Sequence, residues 1–179
     1  MRTPEARTLH MRVAAGVLSA CLPAAGLGAA GLVAARSARA ETSAPEPLSA
    51  FPQSLLAIRE ASGRVVNFKI WTADTPRRDA QGLMFVRDMD DHAGMLFLFA
   101  GADPVYMWMK NTVMPLDMVF IDARGKITQI AERRTPFSLD LIPAPARTHA
   151  VLELKGGICD RFGIGVGDTV LADRLTGAH

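Results

Sequence analysis

The chain of 179 residues has room for one domain with an apolar core plus an N-terminal segment. Its formal charge of +2 arises in the first 40 residues, which hold five arginines and Glu5; the remainder carries 15 basic and 17 acidic residues, near −2, without the electrostatic footprint of a nucleic-acid binder. Beyond residue 40 a single cysteine, Cys159, is left, which excludes an internal disulfide and leaves stability to the core.

Arg2, Arg7 and Arg12 open the chain, residues 13–35 are uncharged and rich in Ala, Leu, Val and Gly, and Ala38-Arg39-Ala40 forms an A-x-A site before Glu41. This is the pattern of a secretory signal over residues 1–40, cleaved after Ala40 and placing the protein outside the cytoplasm, in the periplasm. Met11 is an alternative start that gives a leader of ordinary length. Two other fates are retention of the apolar run as an inner-membrane anchor, since about 20 residues suffice to span, and lipidation at Cys21 within Leu18-Ser19-Ala20-Cys21.

Residues 41–54 read as a linker rich in Pro, Ser and Ala. Leu55, Leu56 and Ile58 begin an edge strand. Val66, Phe68 and Ile70 alternate with Asn67, Lys69 and Trp71, the period of a half-buried strand. Thr75-Pro76 supplies an N-cap and a first-turn proline for a short helix over residues 77–81, ended by Gly82. The run Gly94-Met95-Leu96-Phe97-Leu98-Phe99 predicts a strand buried on both faces. A strand over residues 105–110 puts Tyr106, Trp108 and Lys110 on one face and Val105, Met107 and Met109 on the other. After a loop stopped by Pro115, the next strand sets Leu116, Met118 and Phe120 against Asp117, Val119 and Ile121. A turn ending at Gly125 leads into a return strand over residues 126–134, with a bulge allowed. Residues 135–147 are a Pro-rich loop of the length that is often functional. Residues 148–155 form a strand with Val151 and Glu153 on one face and Leu152 and Leu154 on the other. A helical turn over residues 158–162, a tight turn at residues 165–168, a last strand over residues 169–171 and a frayed tail complete the chain. Short strands with frequent turns predict a mostly β, single-domain β-sandwich or barrel with one or two short helices over residues 55–172.

Gly82-Leu83-Met84-Phe85, Gly94-Met95-Leu96-Phe97, Trp108-Met109-Lys110-Asn111-Thr112, Pro115-Leu116-Asp117, Val151-Leu152-Glu153-Leu154 and the turn from Gly165 to Asp168 resemble the DUF192 (UPF0127) family over roughly residues 55–172. The resemblance implies a small jelly-roll-like β domain, often exported in bacteria, with no established activity. Family members commonly carry arginine where this chain has Asp79; Arg78 stands next door as a substitute.

Polar groups set among large apolar residues are the candidates for chemistry. Lys110, Asn111 and Thr112 lie where a strand opens into a loop, a place that often presents ligand-binding groups; Asn and Thr also cap turns. Asp117 and Glu153 each sit on an apolar strand. They read either as locally paired structural groups or as carboxylates dividing acid and base roles. With Trp108, Tyr106 and Arg78 they make a candidate binding set for a small polar ligand or a cell-envelope polymer, carbohydrate among them. A hydrolase using Asp117 or Glu153, with Lys110 stabilising charge, is the second reading. A soft-metal carrier using the seven methionines between Met84 and Met118 is the third, against which stands the use of Met as core filler. His92 and His149 lack zinc spacing, so no metal site and no cofactor are implied. Cys159 reads as a small buried hydrophobe.

Overall fold

The structure, a computed structural model, describes residues 44–99 and 104–172. The leader read over residues 1–40 and the tail from residue 173 lie outside the described residues. The described part is mostly β, with strands β1 (Gln53–Arg59), β2 (Val65–Ala73), β3 (Ala93–Leu98), β4 (Tyr106–Met107), β5 (Leu116–Asp122), β6 (Ile127–Arg134), β7 (Ile142–Pro143), β8 (Thr148–Lys155) and β9 (Thr169–Leu171). Two short helices, α1 (Pro76–Gln81) and α2 (Ile158–Phe162), complete it.

Seven strands form one sheet in the order β6-β5-β8-β3-β2-β1-β9, and β4 pairs with β7 beside it. All pairings in the sheet are antiparallel except β2 with β3. The sheet curls into a half-barrel whose two outer strands meet at one end. There Lys126 bridges to Thr169, the Ile127 N–H donates to Asp168 O at 3.0 Å, and the Val170 N–H donates to Gly125 O at 2.7 Å. Closing one end in this way removes much of the open strand edge that would otherwise invite pairing with another chain.

Curling gives the sheet two apolar faces, and strand alternation sorts the residues between them. The inner face collects Leu56, Ile58, Phe68, Ile70, Leu96, Val119, Ile121, Leu152 and Leu154, with Ile158 and Cys159 of α2 packed against them. The other face carries Met95, Phe97, Leu116, Met118, Phe120 and Val151, covered by Leu83, Met107, Met109, Met114 and Ile142. Each such side chain taken from water contributes roughly 1.5–3 kcal/mol. Six of the seven methionines from Met84 to Met118, namely Met89, Met95, Met107, Met109, Met114 and Met118, are thus buried in this second core.

The structure departs from the sequence reading at four places. The strand read over residues 105–110 is reduced to Tyr106–Met107, and the chain from Trp108 to Thr112 runs as a loop. β1 is not an edge strand, because β9 adds outside it along Ala57, Ile58 and Arg59. Two residues of the Pro-rich loop, Ile142 and Pro143, pair with β4; Pro143 is tolerated because β7 is only two residues long and pairs on one side. Residues 44–51, read as a free linker, are strapped across α1. Gln81 holds both the N–H and the C=O of Glu46 (2.7 and 2.8 Å), Arg78 pairs with the Glu46 carboxylate (3.1 Å) and donates to Ala50 O (2.8 Å), and Phe51 is buried beneath the Arg78 guanidinium.

Candidate functional site

The connection from β2 to β3 runs over residues 74–92 and begins with α1. Thr75 caps the helix by accepting from the Arg78 N–H at 3.2 Å, Pro76 occupies the first turn, and Gly82 ends it with φ 50° and ψ −136°. That backbone geometry favours glycine, and a Cβ there would also lie 3.1 Å from Phe97 Cζ and 3.9 Å from Glu153 Oε2. The chain can therefore turn directly over the sheet. Leu83 plugs into the second core, and Phe85 donates its N–H to Asn111 O at 2.9 Å, tying this connection to the loop after β4.

Between α1, the segment from Tyr106 to Thr112 and the sheet lies a cavity of about 420 Å³. Its sides are Asp79, Gln81 and Met84 from the connection and Tyr106, Trp108 and Lys110 from the opposite segment, with Phe97, Phe99 and Glu153 at the sheet. Tyr106 and Trp108 are 51% and 41% exposed and form the rim. The Lys110 ammonium lies 4.9 Å above the Trp108 ring, a cation–π contact.

Glu153 is the unusual group. It is 4% exposed and sits on β8 between Met95 of β3 and Met118 of β5. Its carboxyl makes no hydrogen bond or ion pair with any of the described residues. Burial alone pushes its pKa up from 4.5 to about 8. Desolvation disfavours the charged form, and no donor or cation among the described residues offsets it. Asp79, in the wall, is also raised, first by burial and then by the nearby Asp74.

The predicted binding set divides. Tyr106, Trp108, Lys110, Thr112 and Glu153 come together at the cavity. Asp117 does not join them. The register sets Asp117 opposite Leu154 and Met118 opposite Glu153, so the two carboxylates point to opposite faces of the sheet. Asp117 is fully buried and accepts three backbone N–H bonds, from Arg133 (2.8 Å), Gly157 (2.9 Å) and Cys159 (2.9 Å). It thus binds β6 and the start of α2 to β5. The expectation that Asp117 and Glu153 share acid and base work is set aside on this geometry. Asn111 braces the wall from behind: its φ is 55°, and its side-chain amide donates to Met84 Sδ at 3.7 Å. Arg78 is engaged by Glu46, Asp74 and Ala50 and holds the strap. Thr112 turns its hydroxyl to Lys110 O at 3.3 Å and shapes the loop.

Sequence reasoning missed Asp79, Gln81, Met84, Phe97 and Phe99 as wall residues. Gly82 was the available signal: a glycine closing a helix beside a plugging Leu-Met pair marks a close backbone approach.

The DUF192 family model, described as "Uncharacterized ACR", matches residues 57–172. Two crystal structures resemble the chain. A protein from Sinorhizobium meliloti 1021, provisionally described as a transcription regulator, is 39% identical with a TM-score of 0.66, over 68% of this chain and 94% of that one. A protein of unknown function from Novosphingobium aromaticivorans DSM 12444 is 36% identical with a TM-score of 0.67, over 74% of this chain and 95% of that one. No curated protein matches.

Proposed function

The chain belongs to the DUF192 family, and since that membership brings a fold and no activity, we propose a function from the cavity itself: the domain is a binding module for a small polar ligand, held between Glu153, Lys110, Trp108 and Tyr106. One observation carries this reading, the buried Glu153 carboxyl facing a cavity with no partner among the described residues. A protein keeps a desolvated, unpaired carboxyl at a real cost in stability, and such groups cluster at functional sites. The cavity volume falls within the roughly 300–1,000 Å³ of small-molecule sites, and its lining of aromatic and apolar walls with a few polar groups is of the same kind. The rigid sheet under Glu153 and the rim aromatics suit orientation of a ligand more than a moving catalytic machinery. As part of the same proposal, the leader read over residues 1–40 takes the module out of the cytoplasm, where cell-envelope polymers and their fragments are available as ligands.

The test is a thermal-shift screen of the full chain against small polar compounds and cell-wall fragments, repeated on Glu153→Gln and Trp108→Ala. A compound that raises Tm of the natural protein and loses its effect in both variants supports the reading. Compounds acting equally on all three proteins place the ligand elsewhere. Sequencing the N-terminus of protein recovered from the periplasmic fraction tests export, with Glu41 expected as the first residue.

A further inference from the structure

We infer that the cavity is built for an organic cation: a small molecule whose ammonium group docks against the Glu153 carboxylate while its hydrocarbon part lies on the aromatic walls. The inference rests on the cavity being a ligand site and adds the ligand's charge.

Three features of the lining point this way. First, the cavity presents two carboxyl groups, Glu153 and Asp79, neither hydrogen-bonded nor ion-paired through its side chain among the described residues. Second, Lys110 is the one basic side chain among the described lining residues, and it is committed to the Trp108 face without an ion pair to either carboxyl. The site therefore has two carboxyl groups left unpartnered among the described residues rather than a balanced ion pair. Third, the rest of the lining is mostly apolar and includes four aromatic residues, Phe97, Phe99, Tyr106 and Trp108, with Met84 and Met107. Ring faces attract cations, the more so where the cation is desolvated. A neutral hydroxylated ligand would use the rings but leave the charge unanswered. A bare hard cation such as calcium would need roughly six or more oxygen ligands, and this lining is mostly apolar; among the described residues no His, Cys, Asp or Glu group of three is placed to hold a metal ion.

The charge inference carries a pH signature. The titratable groups facing Glu153 are Asp79 from α1 and Tyr106 and Lys110 from the opposite wall; the flanking strands present Met95, Phe97 and Met118, which do not titrate. A cation binds the ionised carboxylate. With the Glu153 pKa near 8 in the empty protein, binding at neutral pH displaces a proton, and affinity rises about tenfold per pH unit until about pH 8.

Isothermal titration calorimetry on the full chain tests this with choline, butylammonium and guanidinium chlorides, with 3,3-dimethylbutan-1-ol as the uncharged counterpart of choline, and with calcium chloride. At least one organic cation is expected to bind, about tenfold more tightly at pH 7 than at pH 6. Choline, if it is that cation, is expected to bind at least about tenfold more tightly than its uncharged counterpart. Glu153→Gln is expected to lose the cation while remaining folded, with a Tm no lower than that of the natural chain. Equal binding of charged and uncharged counterparts, retention of the cation by Glu153→Gln, or calcium binding in place of all three organic cations overturns the inference. If no cation binds but neutral polar compounds stabilise the natural protein and not Glu153→Gln, the ligand site stands and its cationic character falls. If neither class binds, both fall.

Discussion

Replacing Glu153 by Gln is expected to make the protein more stable, by an amount that depends on pH. The folded protein holds the Glu153 proton up to about pH 8, whereas the group ordinarily loses it near 4.5. Below 4.5 both folded and unfolded chains are protonated there, and the carboxyl costs nothing by ionisation. Between 4.5 and 8 only the unfolded chain ionises, so stability falls by about 1.4 kcal/mol per pH unit. The loss reaches about 3 kcal/mol at pH 7 and levels off near about 5 kcal/mol above pH 8, where both forms are charged. Gln keeps the shape of the side chain and does not titrate. Urea denaturation of the natural chain and Glu153→Gln, at about pH 4.5, 7 and 9, reads the difference directly through the transition midpoint at constant m-value. The two proteins should nearly coincide at the lowest pH and diverge by roughly 3 and then 5 kcal/mol at the higher ones. Parallel curves at all three pH values would refute the claim that this carboxyl is desolvated and unpaired. Taken with loss of ligand in the same variant, the gain would show stability given up for a binding group, a trade-off common at functional sites.

Asp117→Ala leaves three backbone N–H groups without their acceptor, one of them the fully buried Cys159. A loss of about 3–5 kcal/mol is expected by the same denaturation assay, with ligand affinity of the folded fraction unchanged because Asp117 is on the far side of the sheet. Gly82→Ala places a methyl 3.1 Å from Phe97 Cζ at a φ of 50°; a cost of about 1–3 kcal/mol is expected, together with weaker ligand binding through a narrowed cavity. Arg78→Ala removes the clamp on residues 44–51, and limited proteolysis should then cut that segment while the sheet survives; an unchanged digestion pattern would contradict the clamp. The Cys159 thiol is pushed far up, mainly by burial and then by the adjacent Asp117. Thiol reagents should modify it only under denaturing conditions, and rapid labelling of the native protein would overturn its placement.

Much of the sheet could be read from alternation. The faces assigned to β5 and β8, the buried character of β3, the Thr75 cap and the Gly82 stop all reappear in the structure. Local periodicity decides such features residue by residue. Register between strands is different in kind. Whether Asp117 and Glu153 share a face depends on a pairing of Met118 with Glu153 across more than thirty residues of chain, and a slip of one position would reverse it. Polar residues in an apolar run therefore looked like one cluster when they were two: a three-bond anchor on the inner face and an unpaired carboxyl on the outer. The strap was hidden for a similar reason. A Pro- and Ser-rich segment has no periodicity of its own, and its order comes from Arg78 and Gln81 on an element elsewhere in the chain.

The parallel pairing of β2 with β3 is the one exception in an otherwise antiparallel sheet. Two neighbouring strands running the same way cannot be joined by a tight hairpin; the chain must travel back along the sheet before re-entering it. Residues 74–92 make that journey and, in doing so, roof the cavity. Glu153 is fixed by a central strand, whereas Asp79, Gln81 and Met84 on one wall belong to an excursion that topology requires to be long and leaves free in sequence. Ligand preference can thus be rewritten along this detour without disturbing a single rung of the ladder beneath it.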